Sequence, residues 1–288
     1  MSEDIAMAAP LTRRLLVKAS LSVGFCAAIP TVMAQVITTP ADGLVAGEVK
    51  VPAADVEIPA YRAMPDHGGP FPTVLVVHEA FGVHEHIKDV CRRFARLGYY
   101  AISPELFARQ GDAPGEKDMS LLMTEIVFKK PDAESMRDLD ATLAFAKASG
   151  SADVERAAVV GFCWGGRQVW LYAAHNPSLK AAVAWYGLLF WRIQQPTAIA
   201  RDERDPLDVA GDLKLPLLGL YGGEDPYIPT VQIDEMKAKL AATGGASKII
   251  VYPGAGHGFF ADYRPEYVQA AAEASWSEAV GWLKAHGV

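Results

Sequence analysis

From residue 73 onward, short apolar runs alternate with amphipathic or alanine-rich segments that are long enough to form helices. The apolar runs lie at 73–78, 99–104, 157–162, 181–186, 215–221 and 248–252. The segments with helical character lie at 86–97, 135–147, 168–174, 231–242 and 265–285. Each run is apolar on both faces, as required of a strand that lies in a parallel sheet under helices. The pattern predicts an α/β fold with a mostly parallel central sheet and helices on both faces.

Three further stretches complete this picture. Residues 48–51 and 56–64 alternate more weakly and end at the turn-forming residues 66–70, which predicts an antiparallel hairpin at the sheet edge. Residues 108–130 and 188–211 interrupt the alternation after the carboxyl ends of strands, where ligands bind in open parallel sheets. We interpret these two interruptions as loops or short helices over a pocket, and surface excursions without function are the alternative.

Composition places the chain among ordinary globular proteins. Of its 288 residues, 51% are hydrophobic and 21% are charged, and neither a repeat nor a linker divides the stretch from 35 to 288. We therefore expect a single domain there. The net charge of −7 has no compensating cluster of Lys and Arg, so nucleic acid is not an expected partner.

The first 34 residues differ from the rest of the chain. Arg13 and Arg14 precede an apolar run of small residues that ends at Ala34. This pattern resembles a cleavable twin-arginine signal, so we expect a mature chain that starts at Gln35 and a periplasmic or secreted location. A permanent anchor is the alternative, although the run is shorter than the ~20 residues of a spanning helix. After cleavage we expect no membrane anchor, and only Cys91 and Cys163 remain, too few for a disulfide framework.

The sequence Gly-Phe-Cys-Trp-Gly-Gly at 161–166 stands between a predicted strand and a predicted helix. This is the pattern G-x-S-x-G of a nucleophile turn, with Cys163 in place of serine. Glycine on both sides allows the strand and the helix to pass closely on a strained turn that exposes the central side chain. The pattern favours Cys163 as a nucleophile over a buried, inert cysteine. Cys91 lies on a helix face with Phe94 and fits a small core residue better.

An activated thiol needs a base and a group that orients the base. Asp225 follows the predicted strand that ends at Tyr221, and His257 follows the one that ends at Tyr252. Cys163, Asp225 and His257 thus occur in the α/β-hydrolase order of nucleophile, acid and histidine. For Asp225 the competing interpretation is a turn-forming residue before proline.

A second group of histidines is a weaker candidate, for a metal site. His78, His84 and His86 occur near Glu79 and Glu85, but they straddle a strand end instead of lining one helix face. We expect no metal and no other cofactor.

These motifs together resemble the dienelactone hydrolase family of α/β-hydrolases over about residues 45–286. The resemblance is carried by His-Glu-Ala-Phe-Gly at 78–82, the motif at 161–166, Gly-Glu-Asp-Pro-Tyr at 223–227, Gly-Ala-Gly-His-Gly-Phe at 254–259 and Tyr-Arg-Pro at 263–265. It implies the α/β-hydrolase fold, with Cys163 as nucleophile, His257 as base and Asp225 as orienting acid. It further implies that Glu79 contacts the resting thiol and that the backbone N–H groups of Ala80 and Trp164 form the oxyanion hole.

The proposed roles also have a chemical basis. A thiol with a pKa near ~8.5 is only a few per cent thiolate at neutral pH, and a neighbouring imidazolium such as that of His257 favours the anion. A carboxylate beside the thiol disfavours the anion. Glu79 is therefore interpreted as a group that keeps the thiol protonated until substrate displaces it; a carboxylate that only satisfies backbone donors is the alternative.

The resemblance also implies substrate-binding residues. Arg264 takes the place of an arginine that holds a substrate carboxylate, but of the second family arginine only Arg109 is nearby, which makes dienelactone itself a doubtful substrate. Phe81, Tyr186 and Tyr227 stand at predicted strand ends and are candidates for a pocket wall.

We therefore predict a monomeric hydrolase that cleaves a small carboxylic ester or lactone through a thioester on Cys163. A general carboxylesterase or acyl-transfer enzyme is the first alternative. A pseudo-hydrolase that binds a ligand without turnover is the second.

Overall fold

A computed structural model describes residues 36–191 and 204–288. Eight strands form one sheet in the order β1-β2-β4-β3-β5-β6-β7-β8. The first three in this order pair antiparallel, and all later neighbours pair parallel. The strands are β1 Leu44–Pro52, β2 Glu57–Pro65, β3 Phe71–Val77, β4 Tyr100–Pro104, β5 Ala152–Phe162, β6 Ala181–Trp185, β7 Leu217–Gly222 and β8 Lys248–Tyr252. This is the α/β-hydrolase fold, as predicted.

Helices connect the strands. They are α1 Glu85–Arg96, α2 Met119–Leu121, α3 Asp132–Ala148, α4 Trp164–His175, α5 Pro206–Val209, α6 Thr230–Thr243 and α7 Gln269–Ala285. The helix α2 continues as a π-turn at Leu122–Ile126 and a 3-10 turn at Val127–Lys129. The helix α5 likewise continues as a 3-10 turn at Ala210–Asp212.

Burial explains why the strands were visible in the sequence. Every residue of β4, β6 and β7 is buried, because helices cover both faces of these central strands. The edge strand β1 instead alternates between partly buried and exposed residues, and it forms the predicted hairpin with β2.

Two helices, α4 and α7, begin at residues other than those predicted. The helix α4 begins at Trp164, immediately after the nucleophile turn, because its first turn is built from glycines that weaken the helical signal. The helix α7 begins only at Gln269. The four residues before it form turns instead, in which Tyr267 N–H bonds the carbonyl of Arg264 (3.2 Å) and Val268 N–H bonds that of Phe259 (3.0 Å).

The two predicted interruptions have different outcomes. Residues 108–130 form turns and short helical pieces, and four of them (Ala108, Gly111, Asp112 and Pro114) help to line a cleft of about 470 Å³ beside the hairpin of β1 and β2. Residues 192–203 of the second interruption lie outside the described part of the chain, as does the predicted signal at 1–34. In the described ranges, none of the helices has the length and apolar character needed to cross a membrane.

Candidate active site

Cys163 sits on a strained turn between β5 and α4. Its backbone adopts φ 54° and ψ −117°, a conformation that side chains rarely take. The chain can pack this closely at the turn only because residues 161 and 165 are glycines. A Cβ on Gly165 would lie 2.3 Å from the carbonyl oxygen of His78, and one on Gly161 would lie 2.6 Å from that of Gly165. The backbone N–H of Cys163 also bonds the carbonyl of Trp185 (3.1 Å), which ties the turn to β6.

The turn brings Cys163 into line with the predicted base and acid. His257 Nε2 lies 3.1 Å from Cys163 Sγ, and His257 Nδ1 lies 2.8 Å from Asp225 Oδ2. The other carboxylate oxygen of Asp225 accepts the backbone N–H groups of Tyr227 (2.9 Å) and Ile228 (3.2 Å). All three side chains are almost inaccessible to water, with 4% exposure for Cys163 and His257 and 7% for Asp225.

The electrostatics of this chain favour a charged histidine. Burial lowers the pKa of His257, but the negative charges of Asp225 and Cys163 outweigh burial and raise the pKa from 6.5 to about 10. Neutral pH lies well below that value, so the imidazole carries a proton there. The sulfur that faces this charged ring stands at the amino end of α4.

Two of the predicted pocket-wall residues hold the ring of His257 in place. The ring of Tyr186 meets that of His257 edge-on at 5.1 Å between centroids, and Tyr227 does the same from another side, also at 5.1 Å. The backbone of Tyr186 has a positive φ of 35°, which places its side chain over the site. Packing against the ring of His257 is thus observed for both tyrosines, and their role in substrate binding stays a prediction.

Glu79 does not make the hydrogen bond that the resemblance implied. Its fully buried carboxylate accepts the hydroxyl of Tyr263 at 2.5 Å and that of Tyr186 at 3.4 Å. His84 Nε2 lies 3.8 Å from the same carboxylate, within electrostatic range but too far for a hydrogen bond. The hydrogen-bond partners of Glu79 are thus tyrosines, while the thiol bonds His257, which differs from the contact with the resting thiol that the resemblance implied.

Glu79 is ionised despite its burial. Burial alone raises the pKa of the carboxyl group, but His84, Arg264 and His86 together outweigh it and lower the pKa of Glu79 to about 2. Burial and the charge of Glu79 also raise the pKa of Tyr263 well above its usual range. The Tyr263 hydroxyl therefore keeps its proton and donates a hydrogen bond to the carboxylate.

The two arginines expected near the substrate have partners within the chain. Arg264 Nε lies 3.2 Å from Glu266 Oε2, its guanidinium stacks over the ring of Phe81 (5.8 Å), and its side chain is 20% exposed. Arg109 is bound to Asp55 (2.6 Å) and Asp138 (2.8 Å), so the structure uses it in an ion-pair network.

The two residues expected to donate to an oxyanion, Ala80 and Trp164, lie at the carboxyl ends of the parallel strands, as Cys163 does. Trp164 is the first residue of α4, where a backbone N–H has no acceptor within its own helix. Ala80 is 2% exposed and comes three residues after the end of β3, the strand that packs against the first turn of α4. Their action on an oxyanion stays a prediction.

The histidines weighed as metal ligands have separate partners. His78 Nδ1 lies 2.7 Å from the carbonyl oxygen of Glu79, and His78 Nε2 accepts the backbone N–H of Leu106 at 3.0 Å. His86 pairs with Asp262 (3.1 Å). In the described ranges, no three His, Cys, Asp or Glu side chains form a group that could hold a metal ion.

No role was predicted for Tyr263, His84 or Glu266, although Tyr263 belongs to the Tyr-Arg-Pro motif at 263–265. Their partners Glu79 and Arg264 were already candidates. The available signal was a phenol directly before Arg264 on the loop of the catalytic histidine.

Comparison with known proteins gives the family. The profile of the "Dienelactone hydrolase family" matches residues 58–287. The chain belongs to the dienelactone hydrolase family. A Methylorubrum extorquens protein described as "Putative carboxymethylenebutenolidase" is 53% identical over 286 residues, which cover 99% of this chain and 97% of that protein. An Escherichia coli K12 protein of the same description is 46% identical over 92% of this chain and 96% of its own length.

A solved structure supports the same family assignment. The crystal structure of a "Putative Dienelactone Hydrolase" from Klebsiella pneumoniae has a TM-score of 0.79 and 46% identity, and the match covers 84% of this chain and 98% of that one. Membership of the dienelactone hydrolase family identifies the chain as a hydrolase of the α/β-hydrolase fold.

Proposed function

We propose that this protein hydrolyses a small carboxylic ester or lactone through a thioester on Cys163. The observation that carries the proposal is the continuous chain from Cys163 Sγ through the imidazole of His257 to the carboxylate of Asp225. Nucleophile, base and orienting acid are the minimum set for acyl transfer by a thiol.

In the first half of the reaction the thiolate attacks the carbonyl carbon of the ester. The carbonyl oxygen becomes an oxyanion, for which the N–H groups of Ala80 and Trp164 are the proposed donors. When the oxyanion collapses, the C–O bond to the alcohol breaks and His257 Nε2 gives its proton to the departing oxygen. The products of this half are a thioester on Cys163 and the free alcohol; with a lactone, the new hydroxyl stays on the opened chain that the thioester holds.

The second half returns the enzyme to its starting state. Once the sulfur is acylated it carries no negative charge, and one of the two charges that raise the pKa of His257 is gone. The now neutral imidazole takes a proton from water, and the hydroxide attacks the thioester. The C–S bond breaks, the carboxylic acid leaves, and the thiolate and the imidazolium form again.

The test is a screen of ester and lactone substrates with the mature protein, in parallel with the Cys163→Ala variant. Hydrolysis by the wild type alone supports the proposal. A ligand-binding pseudo-hydrolase predicts instead that the wild type hydrolyses none of them.

A specific observation favours a second candidate, a general carboxylesterase without preference for acidic substrates. The charge of Arg264 is already compensated by Glu266 and lies within the electrostatic range of Glu79. A guanidinium with two carboxylates nearby has little net attraction left for a third.

Arg264→Ala separates the two candidates. Because the guanidinium is compensated, we expect kcat/KM for carboxylated and for neutral esters of the same alcohol to change by factors that agree within about threefold. Loss of a charge-assisted hydrogen bond to substrate would instead cost ~1.5 to 3 kcal/mol, roughly tenfold to over a hundredfold, on the carboxylated ester alone. That selective loss would restore the role implied by the resemblance.

We further propose that the enzyme is exported and acts in the periplasm or outside the cell as a monomer. The support for export is Arg13 and Arg14 ahead of an apolar run that ends at Ala34. Replacing both arginines by lysine should block export, whereas the wild type should yield exported protein whose amino-terminal sequence starts at or near Gln35. A full-length chain retained in the membrane would contradict this.

A further inference from the structure

Glu79 and Cys163 occupy equivalent places on adjacent strands. Val77 of β3 pairs with Gly161 of β5, so each of the two functional residues follows the paired position by two residues. Tyr186 and Tyr263 each lie within electrostatic range of both Glu79 and Cys163, and the Glu79 carboxylate is ionised at neutral pH. Two negative charges in one buried site disfavour each other, so a carboxylate free to turn toward the sulfur would work against the thiolate that the proposed mechanism needs.

The structure holds this carboxylate by tyrosine hydroxyls. The bond from Tyr263 to Glu79 Oε2 is 2.5 Å long, which is the range of a strong O–H···O⁻ hydrogen bond. Tyr186 adds a weaker contact to Oε1 at 3.4 Å. One carboxylate oxygen is thus directed to each tyrosine.

We propose that Tyr263 is a positioning residue, which holds the Glu79 carboxylate away from Cys163 and so keeps the thiolate–imidazolium pair formed before substrate arrives. The inference rests on the proposed nucleophilic role of Cys163. It adds that thiol activation in this chain does not wait for a substrate to displace Glu79.

The loop that carries Tyr263 is anchored independently of Glu79. The preceding residue, Asp262, bonds His86 (3.1 Å) and Arg93 (2.5 Å) on α1. On the other side, Arg264 N–H bonds the carbonyl of Ala261 at 2.9 Å. Asp262 is thus fixed to α1 and a turn within the loop fixes the backbone of Arg264, so the backbone on both sides of Tyr263 is held without Glu79.

Other charged or titratable groups also face Glu79, and the test must separate them from Tyr263. They come from the end of β5, from the residue after β6, from the segment around the start of α1 and from the catalytic-histidine loop, and they are Cys163, Tyr186, His84, His86 and Arg264. Tyr263→Phe removes only one hydroxyl and leaves all of these groups in place.

The experiment measures the rate at which iodoacetamide alkylates Cys163 as a function of pH, with the modified peptide identified by mass spectrometry. The proteins are wild type, Tyr263→Phe, Glu79→Gln and the double variant. In Tyr263→Phe the released carboxylate faces the thiolate, and we expect the midpoint of the profile to rise by about one pH unit or more. Below the midpoint, alkylation should then be roughly tenfold slower.

Rescue distinguishes positioning from general structural support. Glutamine carries no charge, so Tyr263→Phe combined with Glu79→Gln should return the midpoint to that of Glu79→Gln alone. Glu79→Gln itself should not raise the midpoint above that of the wild type, and this variant tests the proposal even if Tyr263→Phe does not fold. The matched control is Tyr252→Phe, whose buried hydroxyl has no hydrogen-bond partner among the described residues, and its profile should equal that of the wild type.

Three results would overturn the inference: an unchanged profile in Tyr263→Phe, a double variant that stays as slow as Tyr263→Phe, or a higher midpoint in Glu79→Gln. Failure of the proposed function looks different. Alkylation could then follow the expected pattern while Cys163→Ala still hydrolyses esters at the wild-type rate.

Discussion

Replacing Cys163 by alanine removes ester hydrolysis, and replacing His257 by alanine does nearly the same. We expect kcat/KM to fall by about 10³- to 10⁶-fold in each variant, the range over which nucleophile and base deletions act in hydrolases of this kind. Sulfur and imidazole form one hydrogen-bonded pair at 3.1 Å, so loss of either member removes the attacking thiolate. The double variant should therefore be only slightly worse than the single ones.

The matched control is Cys91→Ala. Cys91 is fully buried in α1, and burial raises the pKa of its thiol out of the range in which it reacts. This variant should keep the wild-type kcat/KM within a few-fold, and iodoacetamide should label Cys163 long before Cys91. Near wild-type hydrolysis by Cys163→Ala, or multiplicative losses in the double variant, would refute the thioester mechanism.

Gly165→Ala should disrupt both folding and activity. Its Cβ would lie 2.3 Å from the carbonyl oxygen of His78 and 2.5 Å from that of Val77, and both obstacles are backbone atoms that cannot rotate away. Relief requires the start of α4 to move away from β3, which would cost about 3 kcal/mol or more. For a chain of this size that corresponds to a Tm lower by about 6 to 12 °C.

Activity of any folded Gly165→Ala protein should fall as well, because the same shift would move the turn that presents Cys163. The control is Gly281→Ala in the interior of α7, where a new Cβ meets nothing within 4 Å. Alanine is the better helix former there and should leave activity unchanged while raising stability by up to ~1 kcal/mol. Equal melting temperatures for the two alanine variants would show that the short distance between Gly165 and the carbonyl groups of Val77 and His78 does not constrain this turn.

The arrangement around Glu79 changes how activation is understood. A carboxylate bonded to the thiol would have to leave before catalysis, whereas here the thiol already bonds His257 and the carboxylate already bonds Tyr263. Under the proposed mechanism we expect such a site to accept esters with or without an acidic group. The compensated charge of Arg264 supports the same expectation.

Much of the fold followed from local sequence. Strands such as β4 and β6 are buried on both faces, and a run of apolar residues that is only five long is visible as a strand without knowledge of its neighbours. The nucleophile turn was equally visible, because a close passage of strand and helix tolerates only glycine at fixed places. The chain order of Cys163, Asp225 and His257 then sufficed to bring them together, since the carboxyl ends of parallel strands share one edge of the sheet.

Which side chains form hydrogen bonds and ion pairs with each other became clear only from the folded structure. Glu79 and Tyr263 are 184 positions apart, and Arg109 and Asp55 are 54 apart, so nothing in the local pattern links them. A hydrogen bond is made or lost over a few tenths of an ångström, and a charge is compensated by whichever opposite charge lies nearest. Local patterns in the sequence were therefore enough to predict the sheet, the turn and the three residues Cys163, Asp225 and His257 that meet at its edge. Whether Glu79 bonds the thiol or a tyrosine, and whether Arg264 is open to substrate, depended on distances that exist only once the loops have packed.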